Sequence, residues 1–221
     1  APSFTLEELA KANGLLHEQA HDALSDVRAT IGLARLIQQA QPKLFEFCLG
    51  LRFKQRVAQE LGLPTTLHEA RPFLHVSGMF SPARGCLAVM WPLAMHPTNA
   101  NELLAWDLAQ DPSELATLDV EGLRERLFTP TAELPDGVTR LPIKGIHLNK
   151  SPIVIRNLKT LSPAMAAKWG VDMAQAARHQ AAIVQAHGGY GGDYICPKAG
   201  GRFGHQRGQP IFHGKVALVG H

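Results

Sequence analysis

The sequence predicts an α+β protein in which a helical segment precedes a part built from short strands. Up to Leu61 the apolar residues recur at helical spacing, whereas after Pro64 they form short runs separated by glycine, proline and asparagine. A chain of 221 residues with 45% apolar content can bury an ordinary core. The composition changes again at His187, because 10 of the 20 glycines lie in the last 34 residues. We therefore expect helical, β-rich and glycine-rich parts in that order.

The first part predicts three helical stretches. Thr5 to Glu8 forms a capping box, and Asn13-Gly14 supplies the stop of a short helix. A second helix is predicted from near Asp22 to just before Pro42. Its apolar face is formed by Leu24, Val27, Ile31, Ala34 and Ile37. A third stretch, Pro42 to Leu61, is expected to be a helix that links two domains.

The second part predicts five strands, with Trp91 and Trp106 in its core. The expected strands are Phe73–Val76, Leu87–Trp91, Leu103–Leu108, Leu141–Leu148 and Ile153–Ile155. Helices are expected from about Val120 to Phe128, from Ser162-Pro163 to Gly170, and from Asp172 to Ala186.

Charge and cysteine content restrict the classes of function. The chain has 22 basic and 19 acidic residues, of which four basic residues and one acidic residue lie from His187 onward. The part of the chain before His187 therefore holds 18 of each and is neutral. Any nucleic-acid site must therefore be a local patch. Three cysteines without a Cys-x-x-Cys pair predict neither a disulfide framework nor a zinc site, so a reducing cytoplasm is expected. No apolar run is long enough for a membrane span, and the opening residues, which lack Met and a signal pattern, suggest a piece of a longer chain.

His21 and Asp26 are the candidate chemical groups. The segment His21-Asp-Ala-Leu-Ser-Asp26 places an imidazole just before a helix and a carboxylate in its first turns. A carboxylate suits a hard cation such as Mg²⁺, and a neutral histidine can accept a proton from water. This pair suits metal-assisted phosphodiester hydrolysis, although a two-metal site needs further carboxylates. The alternative is that the aspartates only cap the helix.

Ordered motifs around this pair strongly resemble bacterial exodeoxyribonuclease I, a DEDDh-type 3′→5′ exonuclease family. The resemblance covers roughly residues 1 to 175. The motifs are Pro2–Gly14, Ala20–Val27, Ala29–Ile31, Gln41–Phe45, His75–Phe80, Pro92–Ala94, His96-Pro97, Leu123–Leu127 and His147–Pro152. Two departures stand out: Thr5 occupies a position that is usually basic in the family, and the segment after His187 resembles nothing in it.

The resemblance implies a nuclease that removes mononucleotides from the 3′ end of single-stranded DNA. Asp26 would be the last metal-binding carboxylate and His21 the general base, while three other acidic ligands would lie before Ala1. The Mg²⁺ site would therefore be incomplete here. The implied domains are the C-terminal helices of a ribonuclease-H-like exonuclease domain (1–45), a linking helix (46–63), an SH3-like domain (64–158), the start of a helical domain (159–186) and a disordered or aberrant tail (187–221).

Basic and polar residues near aromatic ones are the candidates for DNA contacts, because phosphates bind to Lys, Arg and small polar groups and bases stack on rings. The candidates are Phe4, Arg52, Lys54, Arg84, Asn101, Lys144, Asn149 and Lys150. For each basic residue the alternative is a solvated surface charge, and for Phe4 it is a place in the core.

Three functional hypotheses follow. The leading one is a fragment of a single-strand-specific exonuclease that is inactive alone and acts, as the family implies, in DNA repair. It would be a monomer without a membrane partner, and the resemblance adds single-strand-binding protein as a further partner. The second is a non-catalytic module that binds single strands or proteins. The third, an oligoribonuclease-like enzyme, is disfavoured because such proteins end soon after the His21 to Asp26 helix.

Overall fold

The computed structural model describes residues 2–15, 23–66, 69–96, 98–118, 122, 125–127 and 129–187. Its first four helices are α1 (Leu6–Ala12), α2 (Ala23–Ala40), α3 (Pro42–Gly50) and α4 (Lys54–Leu61). The predicted cap of α1 is confirmed, since the Thr5 hydroxyl accepts a hydrogen bond from the backbone N–H of Glu8 at 3.4 Å. Gly14 follows the helix with φ +66°, a backbone conformation that favours glycine.

The single helix predicted over Pro42 to Leu61, and with it the linking helix over 46–63, is wrong. α3 ends at Gly50, and the chain turns through Leu51, whose N–H donates to the Cys48 carbonyl at 3.1 Å. Phe53 is extended, with φ −94° and ψ 120°, so helical hydrogen bonding cannot continue through it. Glycine is a poor helix former, which helps to place the break after residue 50.

The predicted strands form one antiparallel sheet in the order β4-β3-β2-β1-β5. The strands are β1 (Phe73–Val76), β2 (Leu87–Met95), β3 (Glu102–Asp107), β4 (Ile143–His147) and β5 (Ile153–Ile155). β2 is longer than predicted and runs past Pro92. A register shift between Pro92 and Ala94 accommodates the proline, which cannot donate a ladder hydrogen bond.

The hydrophobic core is built on the sheet, and the predicted place of Trp91 and Trp106 in it is confirmed. Trp91 and Trp106 face each other in the β2–β3 register, and both are buried. The Trp106 indole N–H donates to the Gln110 carbonyl at 3.1 Å. Phe73 and Leu103 are also buried there, so the two tryptophans belong to one contiguous apolar cluster.

The described residues include three further α-helices, namely α5 (Ser113–Thr117), α6 (Pro163–Lys168) and α7 (Met173–His187). The predicted start and stop of α6 are confirmed by the Ser162 cap and by Gly170 at φ +63°. Ile183 of α7 joins the core of the sheet, and His179 Nδ1 donates to the Leu108 carbonyl at 2.9 Å.

Two predicted segments fall partly or wholly outside the described residues. In the expected helix from Val120 to Phe128, residues 122 and 125–127 are helical and the others lie outside the description. The glycine-rich segment 188–221 also lies outside it. No helix within the described ranges is long and apolar enough to cross a membrane.

Candidate nucleic-acid interface

The structure brings Lys54, Asn101 and the turn after β4 together. Lys54 is the first residue of α4, and its Nζ donates a short hydrogen bond to Asn101 Oδ1, although the two residues are 47 positions apart. The Asn101 carbonyl accepts from the Leu148 N–H at 2.7 Å. Leu148 begins the turn that carries Asn149 and Lys150, and both of these residues are exposed. Four of the predicted DNA-binding residues thus form what we call the 54/101/150 cluster, defined as Lys54, Asn101, Asn149 and Lys150.

The loop before β3 holds Asn101 in place. Its backbone N–H donates to Asn99 Oδ1 at 3.1 Å, and the Asn99 side-chain amide donates to Glu102 Oε2 at 3.1 Å. Glu102 Oε1 lies 4.0 Å from His147 Nε2, so the one carboxylate near Asn101 in the described contacts is turned toward Asn99 and His147. Sequence reasoning overlooked Asn99, and the signal for it was its position two residues before Asn101.

The carboxylate of Glu102 lies directly over Gly145. A Cβ at Gly145 would clash with Glu102 Oε1, and these residues belong to adjacent strands of the β3–β4 ladder. Glycine therefore leaves room for Glu102 to reach Asn99 and His147. This arrangement leaves the exposed side of the cluster to amide and ammonium groups.

The cluster has the chemistry of a phosphate-binding surface. In the described part of the chain, neither Lys54 nor Lys150 forms an ion pair with a carboxylate. Ammonium and side-chain amide groups are typical donors to phosphate oxygens. Because the two lysines of the cluster are exposed, their attraction for a polyanion is screened by salt.

Arg52 lies next to this cluster in sequence and is held in place by two contacts. Its Nη1 donates to the Leu49 carbonyl at 2.9 Å, and its guanidinium carbon lies 4.2 Å from the centroid of the Phe53 ring. Phe53 is 54% exposed and was not singled out from the sequence. The sequence signal for Phe53 was its position between two basic residues, Arg52 and Lys54.

Two predicted DNA contacts lie elsewhere. Arg84 makes a bidentate ion pair with Asp107, with distances of 2.9 and 3.4 Å, and Asp107 is buried. The pairing gives Arg84 a structural role, and its DNA contact stays a prediction. Lys144 lies on β4, and its charge acts together with burial, the larger cause, to lower the pKa of the buried His75. No described contact joins Lys144 or Arg84 to the 54/101/150 cluster.

Phe4 is 44% exposed and contacts Trp169 just after α6. The ring centroids are 6.2 Å apart and the planes are tilted by 53°. The Lys168 ammonium lies 4.9 Å from the Trp169 ring. This contact ties the residues before α1 to the residues after α6, so Phe4 already has a structural neighbour, and its base contact stays a prediction.

The candidate catalytic pair is described only in part. Asp26 lies in the first turn of α2 and is partly buried, whereas His21 lies outside the described residues. Among those residues there is no group of three or more His, Cys, Asp or Glu side chains that could hold a metal ion. The described side chains therefore do not by themselves form a site for Mg²⁺, and Asp26 is a single carboxylate of such a site at most.

The five-stranded antiparallel sheet lies within a segment that matches an SH3-like domain. The chain matches the model of the exonuclease I SH3-like domain over residues 52–190, and it belongs to that family. The match begins at Arg52 and includes the whole 54/101/150 cluster, as well as α6 and α7.

Relatives and solved structures extend the likeness to the helices before the sheet. Exodeoxyribonuclease I of Escherichia coli K12 is 43% identical over 171 residues, covering 77% of this chain and 35% of the relative, and the Haemophilus influenzae enzyme is 43% identical over 172 residues with the same shares. The chain thus spans about a third of the length of these relatives. The moderately thermophilic exonuclease I of Methylocaldum szegediense superposes with a TM-score of 0.72 at 43% identity, over 82% of this chain and 38% of that one. E. coli exonuclease I in complex with a dA16 oligonucleotide superposes with a TM-score of 0.73 at 39% identity, over 83% of this chain and 38% of that one. The resemblance seen in the sequence is confirmed.

Proposed function

We propose that this chain is part of a single-stranded-DNA-specific 3′→5′ exodeoxyribonuclease that releases mononucleotides, and that it supplies part of the strand-binding surface. The observation that carries the proposal is the 54/101/150 cluster, where residues distant in sequence bring ammonium and amide groups to one surface, and where neither lysine is ion-paired with a carboxylate among the described residues. The relatives support it, since E. coli exonuclease I has been solved with single-stranded oligonucleotides. Arg52, Lys144, Arg84 and Phe4 are proposed as further contacts along the strand.

We propose that Asp26 is a ligand of Mg²⁺ and that His21 is the general base. The position of Asp26 in the first turn of α2, directly after the segment that carries His21, supports this assignment. The other acidic ligands that the family requires have no counterpart among the matched motifs. On this proposal the chain alone cannot assemble a two-metal site, so it is inactive by itself.

The remaining assignments follow from the family. We propose exonuclease helices over 1–45, a connecting segment over 46–63, an SH3-like domain over 64–158 and the start of a helical domain over 159–186. We further propose that the whole protein is a monomer that acts in DNA repair and recombination and meets single-strand-binding protein there.

The first test measures hydrolysis and binding on the same preparation. With Mg²⁺ and a labelled single strand, the purified chain is expected to show no release of mononucleotides but measurable binding. The affinity should fall steeply with salt, because each phosphate contact contributes about −0.7 to the slope of log K against log salt for single strands. Turnover that His21→Ala abolishes would contradict the assignment of an incomplete site.

The second test assigns the binding to the cluster. Lys54→Gln and Lys150→Gln should each weaken binding and reduce the salt slope by about 0.7. Lys159→Gln is the matched control, because Lys159 is exposed and no described side-chain contact joins it to the cluster. Equal losses for all three variants would show that the positive charge of the chain as a whole, and not the cluster, attracts DNA.

A non-catalytic module that binds single strands is the second candidate function. The sheet supports it, because the buried core residues of the described structure that cover it come from Leu51 to Ile183, with Phe47 and Val184 packed at the margins. Binding and hydrolysis separate the candidates only when the rest of the enzyme is present. Recovery of Mg²⁺-dependent cleavage after addition of the N-terminal part of a relative's exonuclease domain would favour the nuclease fragment.

A further inference from the structure

Phe53 presents an exposed aromatic ring beside the 54/101/150 cluster. The residue precedes α4 and is 54% exposed, and it is absent from the buried core and from the side chains packed against it. Its backbone carbonyl accepts from the N–H groups of Arg56 at 2.9 Å and Val57 at 3.2 Å. The backbone of Phe53 therefore starts the helix, while its ring lies outside the hydrophobic core formed by the described residues.

One face of this ring carries a cation that is itself anchored. The Arg52 guanidinium lies 4.2 Å from the ring centroid, and its Nη1 is fixed by the Leu49 carbonyl at 2.9 Å. The contact holds the ring in a defined orientation through a cation–π interaction. Because more than half of the Phe53 surface is still exposed, a flat ligand can reach the uncovered part of the ring.

Phe53 directly precedes Lys54 in the chain. The Lys54 ammonium is bonded to Asn101, and Asn101 is bonded through its carbonyl to the turn that carries Lys150. An aromatic ring therefore adjoins the 54/101/150 cluster, whose side chains can donate hydrogen bonds to phosphate oxygens. Proteins that bind single strands combine these two features, a basic track for the backbone and aromatic faces for successive bases.

The other pair of a cation and an aromatic ring in the described structure, Lys168 and Trp169, is arranged differently. The Trp169 indole lies against Gly85, where an added Cβ would fall 2.7 Å from Cδ2, and Phe4 packs near it. Trp169 is therefore used to join elements of the fold. Among the described residues, Phe53 contacts neither another aromatic ring nor a glycine in this way, and this contrast separates a ring that packs the protein from one available to a ligand.

We propose that Phe53 stacks on a base of the single strand whose phosphates contact Lys54 and the turn at 149–150, and that Arg52 holds the ring for this contact. The inference rests on the proposed function. Stacking on a phenyl ring requires only the flat face of a base, so the contact should tolerate any base.

The test compares oligonucleotides with and without bases. Fluorescence anisotropy should show that Phe53→Leu weakens binding of a labelled dT oligonucleotide about 5- to 100-fold, while Phe53→Trp retains it. On an oligonucleotide of the same length built from abasic residues, the wild type and Phe53→Leu should bind equally. The salt slope should be the same for both proteins, because no phosphate contact is lost. Met79→Ala is the control, since Met79 is an apolar residue that is 78% exposed and has no ring.

The outcomes separate the stacking inference from the proposed function. Absence of salt-dependent binding by the wild type would overturn the proposed function and the stacking contact with it. Wild-type binding that Phe53→Leu leaves unchanged, or an equal loss on the abasic strand, would overturn stacking alone. If Phe53→Leu does not fold, Phe53→Trp decides: quenching of indole emission on addition of DNA, beyond that of the wild type, supports stacking, and no additional quenching refutes it.

Discussion

Trp91, Trp106 and Phe73 are almost completely buried on the sheet, whereas Leu24 and Val27 on α2 are 55% and 54% exposed. Both sets follow the apolar periodicity of their elements, yet only the first is covered. Among the described residues, Ala29 is the fully buried residue of α2 and Ala10 that of α1, while the large side chains of the predicted apolar face of α2 stay about half exposed. A helix of 18 residues is about 27 Å long, which makes this an extended uncovered face.

This difference shows that the spacing of apolar residues predicts which face of a helix or strand favours burial. It does not predict which other part of the protein covers that face. The sheet supplies its own cover, because β2 and β3 meet through the tryptophan pair and α7 adds Ile183. The large apolar side chains of α2 are left half exposed by the described residues. Stability should therefore be concentrated in the sheet, and substitutions in the two regions should have unequal effects.

The largest effect is expected for Phe73→Ala. The residue is 1% exposed in the core, and removal of a buried phenylalanine costs about 3–5 kcal/mol through lost burial and the remaining cavity. Phe53→Ala is the matched control, and its free energy of unfolding should change by less than about 0.5 kcal/mol because the ring is exposed. Urea unfolding followed by circular dichroism measures both. Similar losses for the two variants would remove the contrast between a packing ring and a ligand-binding one.

A smaller effect is expected for Gly85→Ala. Gly85 and Gly170 both have φ +63°, but an added Cβ at Gly85 meets the Trp169 indole at 2.7 Å, while nothing lies within 4 Å of one at Gly170. Gly170→Ala should cost about 1 kcal/mol for the left-handed backbone alone. Gly85→Ala should cost roughly 1–3 kcal/mol more from overpacking. Equal costs in urea unfolding would show that Trp169 does not rest on Gly85 in solution.

The next effect is a dependence of stability on pH. Burial lowers the pKa of His75 below its ordinary value of 6.5, and Lys144 acts in the same direction, while the hydrogen bond with the Ile153 carbonyl opposes them. Near and below pH 6.5 the unfolded chain therefore binds more protons, so the free energy of unfolding should fall as the pH drops below about 6.5 and should be level with respect to this group above it. His75→Gln keeps a donor for Ile153 and should flatten this part of the profile. An unchanged slope in His75→Gln would assign the effect to other groups.

Local signals made much of the fold predictable. The Thr5 cap, the Ser162 cap and the stop at Gly170 depend on residues within one or two turns of each other, and the structure confirms all three. The strands were predictable because short apolar runs lie between breakers. The interruption at Leu51 to Phe53 was missed, because Leu44, Phe47, Leu51 and Val57 suggest a continuous helical face while the backbone turns between them.

The candidate site was predictable by residue type but not by arrangement. Lys54 and Asn101 were selected as separate candidates, and no local signal shows that they meet across 47 positions. Arg84 looked like a free cation, because its partner Asp107 lies on β3, 23 positions further along the chain. Pairing decides whether a basic residue is available to a phosphate, and pairing is a long-range property of the fold.

The smallest effect is expected on α2, and it tests the comparison most directly. Ile31→Gln should change the free energy of unfolding by less than about 0.5 kcal/mol, because the side chain is 46% exposed and glutamine is a good helix former. Leu103→Gln, a matched change at a fully buried position, should cost several kcal/mol, since it buries an amide and removes core contacts. Light scattering should also show less self-association for Ile31→Gln, because large exposed apolar patches favour association. A loss above about 1 kcal/mol for Ile31→Gln would mean that the apolar face of α2 is already covered in solution, and the two regions would then be stabilised in the same way.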